Sequence, residues 1–148
     1  SAQVGLSAMS EPDPFAHFLT AQVDVFDAAL VELNAGRKRG HWMWFVFPQI
    51  AGLGSSEMAR RFALTGEAEA RAFANHPVFG DRLDQATEAM LDWAGTMAVE
   101  EILGPVDAMK FRSSMTLFEA SADDTDAFTA ALDQFYEGER DALTLQRL

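Results

Sequence analysis

The segment His41-Trp42-Met43-Trp44-Phe45-Val46-Phe47-Pro48-Gln49 decides the fold class, because its apolar run 42–47 fits either a buried strand or a short buried helix. As a strand it would be apolar on both faces and would need neighbours to take its backbone hydrogen bonds. No convincing partner segment occurs elsewhere in the chain. A helix satisfies its own backbone, and Pro48 ends it, since the residue before a proline is pushed out of the helical region. The segment therefore predicts a short buried helix.

Working outward, the flanks read the same way. Asp13 and Pro14 supply an N-cap and a first helical residue. Phe15, Leu19, Val23, Phe26, Leu30 and Leu33 follow at three- and four-residue spacing, which predicts one amphipathic helix up to the Asn34-Ala35-Gly36 stop. Downstream of the loop Gly52-Leu53-Gly54-Ser55, helices are predicted with caps at Ser55, Thr65 and Thr96, and with starts at Pro77 and Pro105. A further helix is capped by Asp123 or Asp124 and closed by Gly138, and a terminal turn spans 141–148. The expectation is an all-α, single compact domain of about seven or eight helices over residues 9–148. Residues 1–8 are expected to be an appended tail, disordered or extended, with Met9 as the natural start. Phe26, Trp42, Phe45, Phe62, Leu83, Phe118 and Phe128 are the expected core.

A chain of 148 residues with 49% apolar content can bury a continuous core. Its net charge of −12 argues against nucleic acid or an anionic membrane as a partner. No run approaches the roughly 20 apolar residues that a membrane-spanning helix needs. The chain has no cysteine, which excludes disulfides and thiol catalysis and permits a reducing, cytoplasmic setting. Three of the eleven basic residues are Arg37, Lys38 and Arg39, set directly against the aromatic segment.

Few motifs carry chemistry. His17, His41 and His76 stand far apart without metal-ligand spacing. Glu100-Glu101 and Asp123-Asp124 fall at helix starts, where carboxylates meet the helix dipole favourably. Gly52-Leu53-Gly54-Ser55-Ser56 lacks the third glycine of a dinucleotide fingerprint, although its amides could hold a small anion. Ser113 and Ser114 lie within a predicted helix, outside any nucleophile elbow, and read as small residues at a helix contact. No cofactor motif is complete, so none is expected.

Two readings of the opening segment stand. In one, Trp42, Phe45 and Phe47 are core, and the bases at 37–39 complement the end of the preceding helix. In the other, cations beside aromatic rings form an anion-holding surface. A second basic pair, Lys110 and Arg112, would then converge with the first.

At Gly36-Arg37-Lys38-Arg39-Gly40-His41-Trp42 through Gly54, at His76-Pro77 with 80–83, and at 110–118, the chain resembles a family of small, mainly bacterial proteins of unknown function, some labelled calpastatin-like. The resemblance runs from Asp13-Pro14-Phe15 to Thr144-Leu145, with Gly40 standing where the family usually has serine or threonine. It implies a mainly helical fold and no established activity, cofactor or catalytic residue. It does imply that Lys38, His41, Trp42, Trp44, Gln49, Lys110, Ser113 and Ser114 belong to the family's characteristic segments. The calpastatin label is set aside, since inhibitors of that kind are disordered and this composition folds.

The expected function is to bind a small anionic ligand, bearing phosphate or carboxylate, at Arg37, Lys38, His41, Trp42, Trp44, Gln49, Lys110, Arg112, Ser113 and Ser114. Any catalysis there would use His41 as general base. The alternative is a protein-interaction or homo-oligomerising module anchored by the aromatic segment. Oligomeric state and reaction are left open.

Overall fold

The computed structural model describes residues 13–148, and the expectations for residues 1–8 and Met9 lie outside that span. The described residues form ten α-helices. They are α1 (Ala16–Gln22), α2 (Phe26–Asn34), α3 (Met43–Val46), α4 (Glu57–Phe62), α5 (Glu67–Asn75), α6 (Phe79–Leu91), α7 (Val99–Leu103), α8 (Pro105–Ser121), α9 (Asp126–Tyr136) and α10 (Ala142–Gln146). The decisive segment is α3, and all of 42–47 except the half-buried Trp44 is buried. Extended pairing among the described residues amounts to one isolated parallel bridge, Ile50 to Leu64. The class is all-α.

The first helix departs from its expectation. One continuous helix was expected over 13–34, but it breaks after Gln22, where Val25 N–H donates to Gln22 O at 3.0 Å, a tightened turn. Gln22 is buried at the break, donating through Nε2 to Phe45 O (2.6 Å) and accepting from Arg82 Nη1 (3.0 Å). The break resets the helical phase. Leu19 and Val23, assigned to the apolar stripe, are exposed, while Phe15, Phe18, Phe26, Ala29 and Leu33 face the core.

Several caps shift by a residue or two. Ser56, not Ser55, caps α4 by accepting from Ala59 N–H at 3.1 Å. Ala98, not Thr96, precedes α7, and its amide is held by Glu101 Oε1 at 2.9 Å. Gly66 rather than Thr65 precedes α5. At α6, His76 Nδ1 accepts from Val78 N–H (3.1 Å) and Phe79 N–H (3.4 Å). Its Nε2–H is then the donor to Asp13 Oδ2 at 2.9 Å, which ties the start of the described chain to that helix.

The long helix α8 is central, packed by α5, α7, α9 and α10, and it buries residues on every side. A second hub, α6, packs against α2, α3, α5 and α9. Between them lies a phenylalanine cluster in which Phe73 stands 5.4, 4.9, 5.2 and 5.9 Å from Phe15, Phe18, Phe79 and Phe118. All the expected core residues, Phe26, Trp42, Phe45, Phe62, Leu83, Phe118 and Phe128, are buried. The α5–α6 junction is close enough that a Cβ on Gly80 would fall 2.2 Å from Ala74 O, a backbone atom that cannot swing away.

Candidate functional site

The loop 37–41 is built around a carboxylate from its own chain. Glu32, on the last turns of α2, accepts on one oxygen from Arg39 N–H (2.6 Å), Gly40 N–H (2.9 Å) and Trp42 Nε1–H (3.0 Å). Burial pushes the Glu32 carboxyl up, but the Gly40 and Arg39 amides, the Trp42 indole and the Lys38 charge together outweigh it. Its pKa therefore lies below the ordinary glutamate value. A depressed carboxylate pKa contributes stability that is present above the unfolded value, about 4.3, and lost as pH falls through the folded one. Glu32→Gln should accordingly flatten the fall in urea midpoint between about pH 5 and 3. An unchanged acid limb would show that Glu32 does not carry it.

The same loop aims Lys38 inward. Its N–H donates to Ile102 O at 2.8 Å, which pins the loop to the end of α7 beside the start of α8. Lys38 Nζ then reaches Asp107 Oδ2 at 2.8 Å, with side-chain exposures of 8% and 19%. Lys110, one turn further along α8, stands 3.6 Å from Asp107 Oδ1. Each ammonium also lies over a tryptophan: Lys38 5.0 Å from the Trp42 ring centre and Lys110 4.9 Å from that of Trp44. The two basic segments thus meet across a single carboxylate. Asp107 holds Lys38 closely and Lys110 loosely, beyond hydrogen-bond length, so two cations share one anion.

Next to Lys110 a cleft of about 230 Å³ opens between α8, the 49–54 loop and the C-terminal helix. Its polar lining is Gln49, Lys110, Ser113 and Asp141; Leu53, Val106, Met109 and Leu143 form apolar walls. The loop is fixed by Leu64 N–H to Gln49 O (2.9 Å) and Ala51 N–H to Leu64 O (2.8 Å). Asp141 caps α10 and joins it to α8: its Oδ2 accepts from Thr144 N–H (3.1 Å), Thr144 Oγ1 (2.6 Å) and Ser113 Oγ (3.0 Å). Ser113 is thereby a donor to a carboxylate already serving two others, and no activated nucleophile results.

Of the residues singled out from sequence, Lys38, Trp42, Trp44 and Lys110 come together around Asp107, and Gln49, Lys110 and Ser113 line the cleft. Arg112 is not brought there. Two positions on from Lys110 it lies on another side of α8, 5.8 Å from the Tyr136 ring and 3.6 Å from Glu139 Oε1. Ser114 is wholly buried without a hydrogen-bond partner among the described residues, as a small residue at a helix contact would be. Arg37 and His41 are exposed at the outer edge of the loop, and Trp42 is a core residue that reaches the site only through Lys38.

Sequence reasoning missed Asp107, Glu32 and Asp141. Asp107 carried a signal, an acid three residues before Lys110 on one helix. Asp141 carried one too, as an aspartate ahead of a short helical run. Glu32 carried none, since nothing local marks a helix-surface glutamate as the anchor of the following loop.

Among the described residues no helix is long and apolar enough to cross a membrane. No curated protein matches the chain. The crystal structure of the conserved hypothetical protein Rv1873 from Mycobacterium tuberculosis is similar, with a TM-score of 0.88 and 44% identity over 92% of this chain and 98% of that one. Residues 12–148 match the family described as "Protein of unknown function (DUF1810)", and the chain belongs to that family.

Proposed function

We propose that this protein binds a small anionic ligand at the cleft lined by Gln49, Lys110 and Ser113. The observation that carries the reading is the unequal sharing of Asp107 by Lys38 and Lys110, at 2.8 and 3.6 Å. With one carboxylate between two ammonium groups, Lys110 keeps positive charge to offer, and it lines the cleft with its ammonium over the Trp44 ring. The lack of cysteine is compatible with a cytoplasmic setting. An interface anchored by the aromatic segment is the weaker alternative, because Trp42, Phe45 and Phe47 are packed in the core.

Thermal shift against a panel of small carboxylates and inorganic phosphate tests the reading. An anion at 100 times its Kd should add about 2.7 kcal/mol to stability. Lys110→Met, which removes the ammonium and keeps an unbranched side chain, should abolish that gain and leave the helical circular dichroism intact. Full stabilisation of the variant by the same anion would overturn the proposal.

A further inference from the structure

Lys110 is one of two opposite charges in this cleft. Asp141 also lines it, 9% exposed, and among the described residues it has no cationic partner. Its fixed donors, Ser113 Oγ, Thr144 N–H and Thr144 Oγ1, all act on Oδ2. They are neutral groups, so they orient the carboxylate without cancelling its charge, and Oδ1 is left to accept from a further donor. Lys110 and Ser113 are three residues apart on one face of α8, and Ser113 touches Asp141. The cation and the anion therefore line one cleft without pairing, and Lys110 is drawn toward Trp44 and Asp107.

We infer that the ligand of this cleft is a small aliphatic zwitterion, an amino-acid-like molecule whose carboxylate meets Lys110 and whose ammonium meets Asp141. The inference rests on the anion-binding reading above and narrows it. A dianionic phosphate would face the Asp141 charge, and a simple amine would face Lys110; a molecule carrying both charges in the right order satisfies both walls. The volume of about 230 Å³ is below the roughly 300–1,000 Å³ of pockets for drug-sized ligands, and it suits a single amino acid. The remaining lining favours an aliphatic tail. Val106, Met109 and Leu143 border the cleft while 65%, 65% and 60% exposed, large apolar side chains that such a tail would cover.

Three probes with the same branched tail separate the parts: L-leucine, with both charges; 4-methylpentanoate, with the carboxylate alone; and 3-methylbutylamine, with the ammonium alone. Titration calorimetry on the full chain should show leucine binding at least about tenfold tighter than either analogue, the effect of one charge-assisted hydrogen bond. Asp141→Asn keeps an acceptor for Thr144, and it should reduce leucine to the level of 4-methylpentanoate while the helical circular dichroism is retained. Equal affinity for leucine and 4-methylpentanoate would overturn the zwitterion and leave anion binding at Lys110 standing. Absence of leucine binding would overturn it as well, and the Lys110-dependent response to the anion panel would then decide the broader reading separately.

Discussion

Trp42→Ala should lower the unfolding free energy by about 3–5 kcal/mol, the usual effect of truncating a fully buried large aromatic side chain. Trp42 is 1% exposed and packs 6.3 Å from Phe47, itself in contact with Phe111 on the central helix at 4.8 Å. Truncation also removes one of the three donors on Glu32 and the ring beneath Lys38, so the 37–41 loop loses its inner anchor. Trp42→Phe separates these contributions. It keeps most of the packing and deletes the indole N–H, a hydrogen bond to a charged acceptor worth about 1.5–3 kcal/mol. Urea denaturation of both variants is the measurement. A loss below about 1 kcal/mol for Trp42→Ala would mean that the site relaxes around the missing ring and that the segment is not the keystone the packing indicates.

Asp107→Ala should cost about 3 kcal/mol, at the lower end of the range for removing one member of a buried ion pair. The lower end applies because Asp107 keeps 19% exposure and Lys110 27%, so water recovers part of the lost attraction. What is left behind is a largely buried Lys38 ammonium, facing Lys110 with no carboxylate between them. The double variant Lys38→Met with Asp107→Leu should restore most of the stability, since an apolar pair of similar volume needs no compensation. Were Asp107→Ala to unfold at the wild-type midpoint, the shared carboxylate would contribute nothing, and the electrostatic basis of the candidate site would fall with it. On the proposed function the same substitution should tighten anion binding at Lys110, so a variant of lower stability would bind better.

The fold class was legible because its signals are local. Pro48, Pro105, Gly36, Gly104 and Gly138 act on the backbone within a residue or two of themselves, and they end or start helices in the structure. The large buried aromatics were legible for a related reason: a Phe or Trp side chain has little alternative to burial wherever its helix is placed. Leu19 and Val23 were misread because periodicity assumes an unbroken helix, and the break at Gln22 depends on partners supplied by Phe45 and Arg82. The convergence of the basic segments was posed by the sequence as a question of what anion would sit between them. By itself, the sequence determined an all-α chain, the helix ends marked by proline and glycine, and seven of the large side chains that fill the core. Only the tertiary structure decided that Asp107 is that anion, that Glu32 organises the basic loop, and that Asp141 faces the cleft beside Lys110. Helix propensity and capping are settled within one turn of chain, whereas an ion pair needs two distant segments brought within about 4 Å, and that is set by how the helices pack.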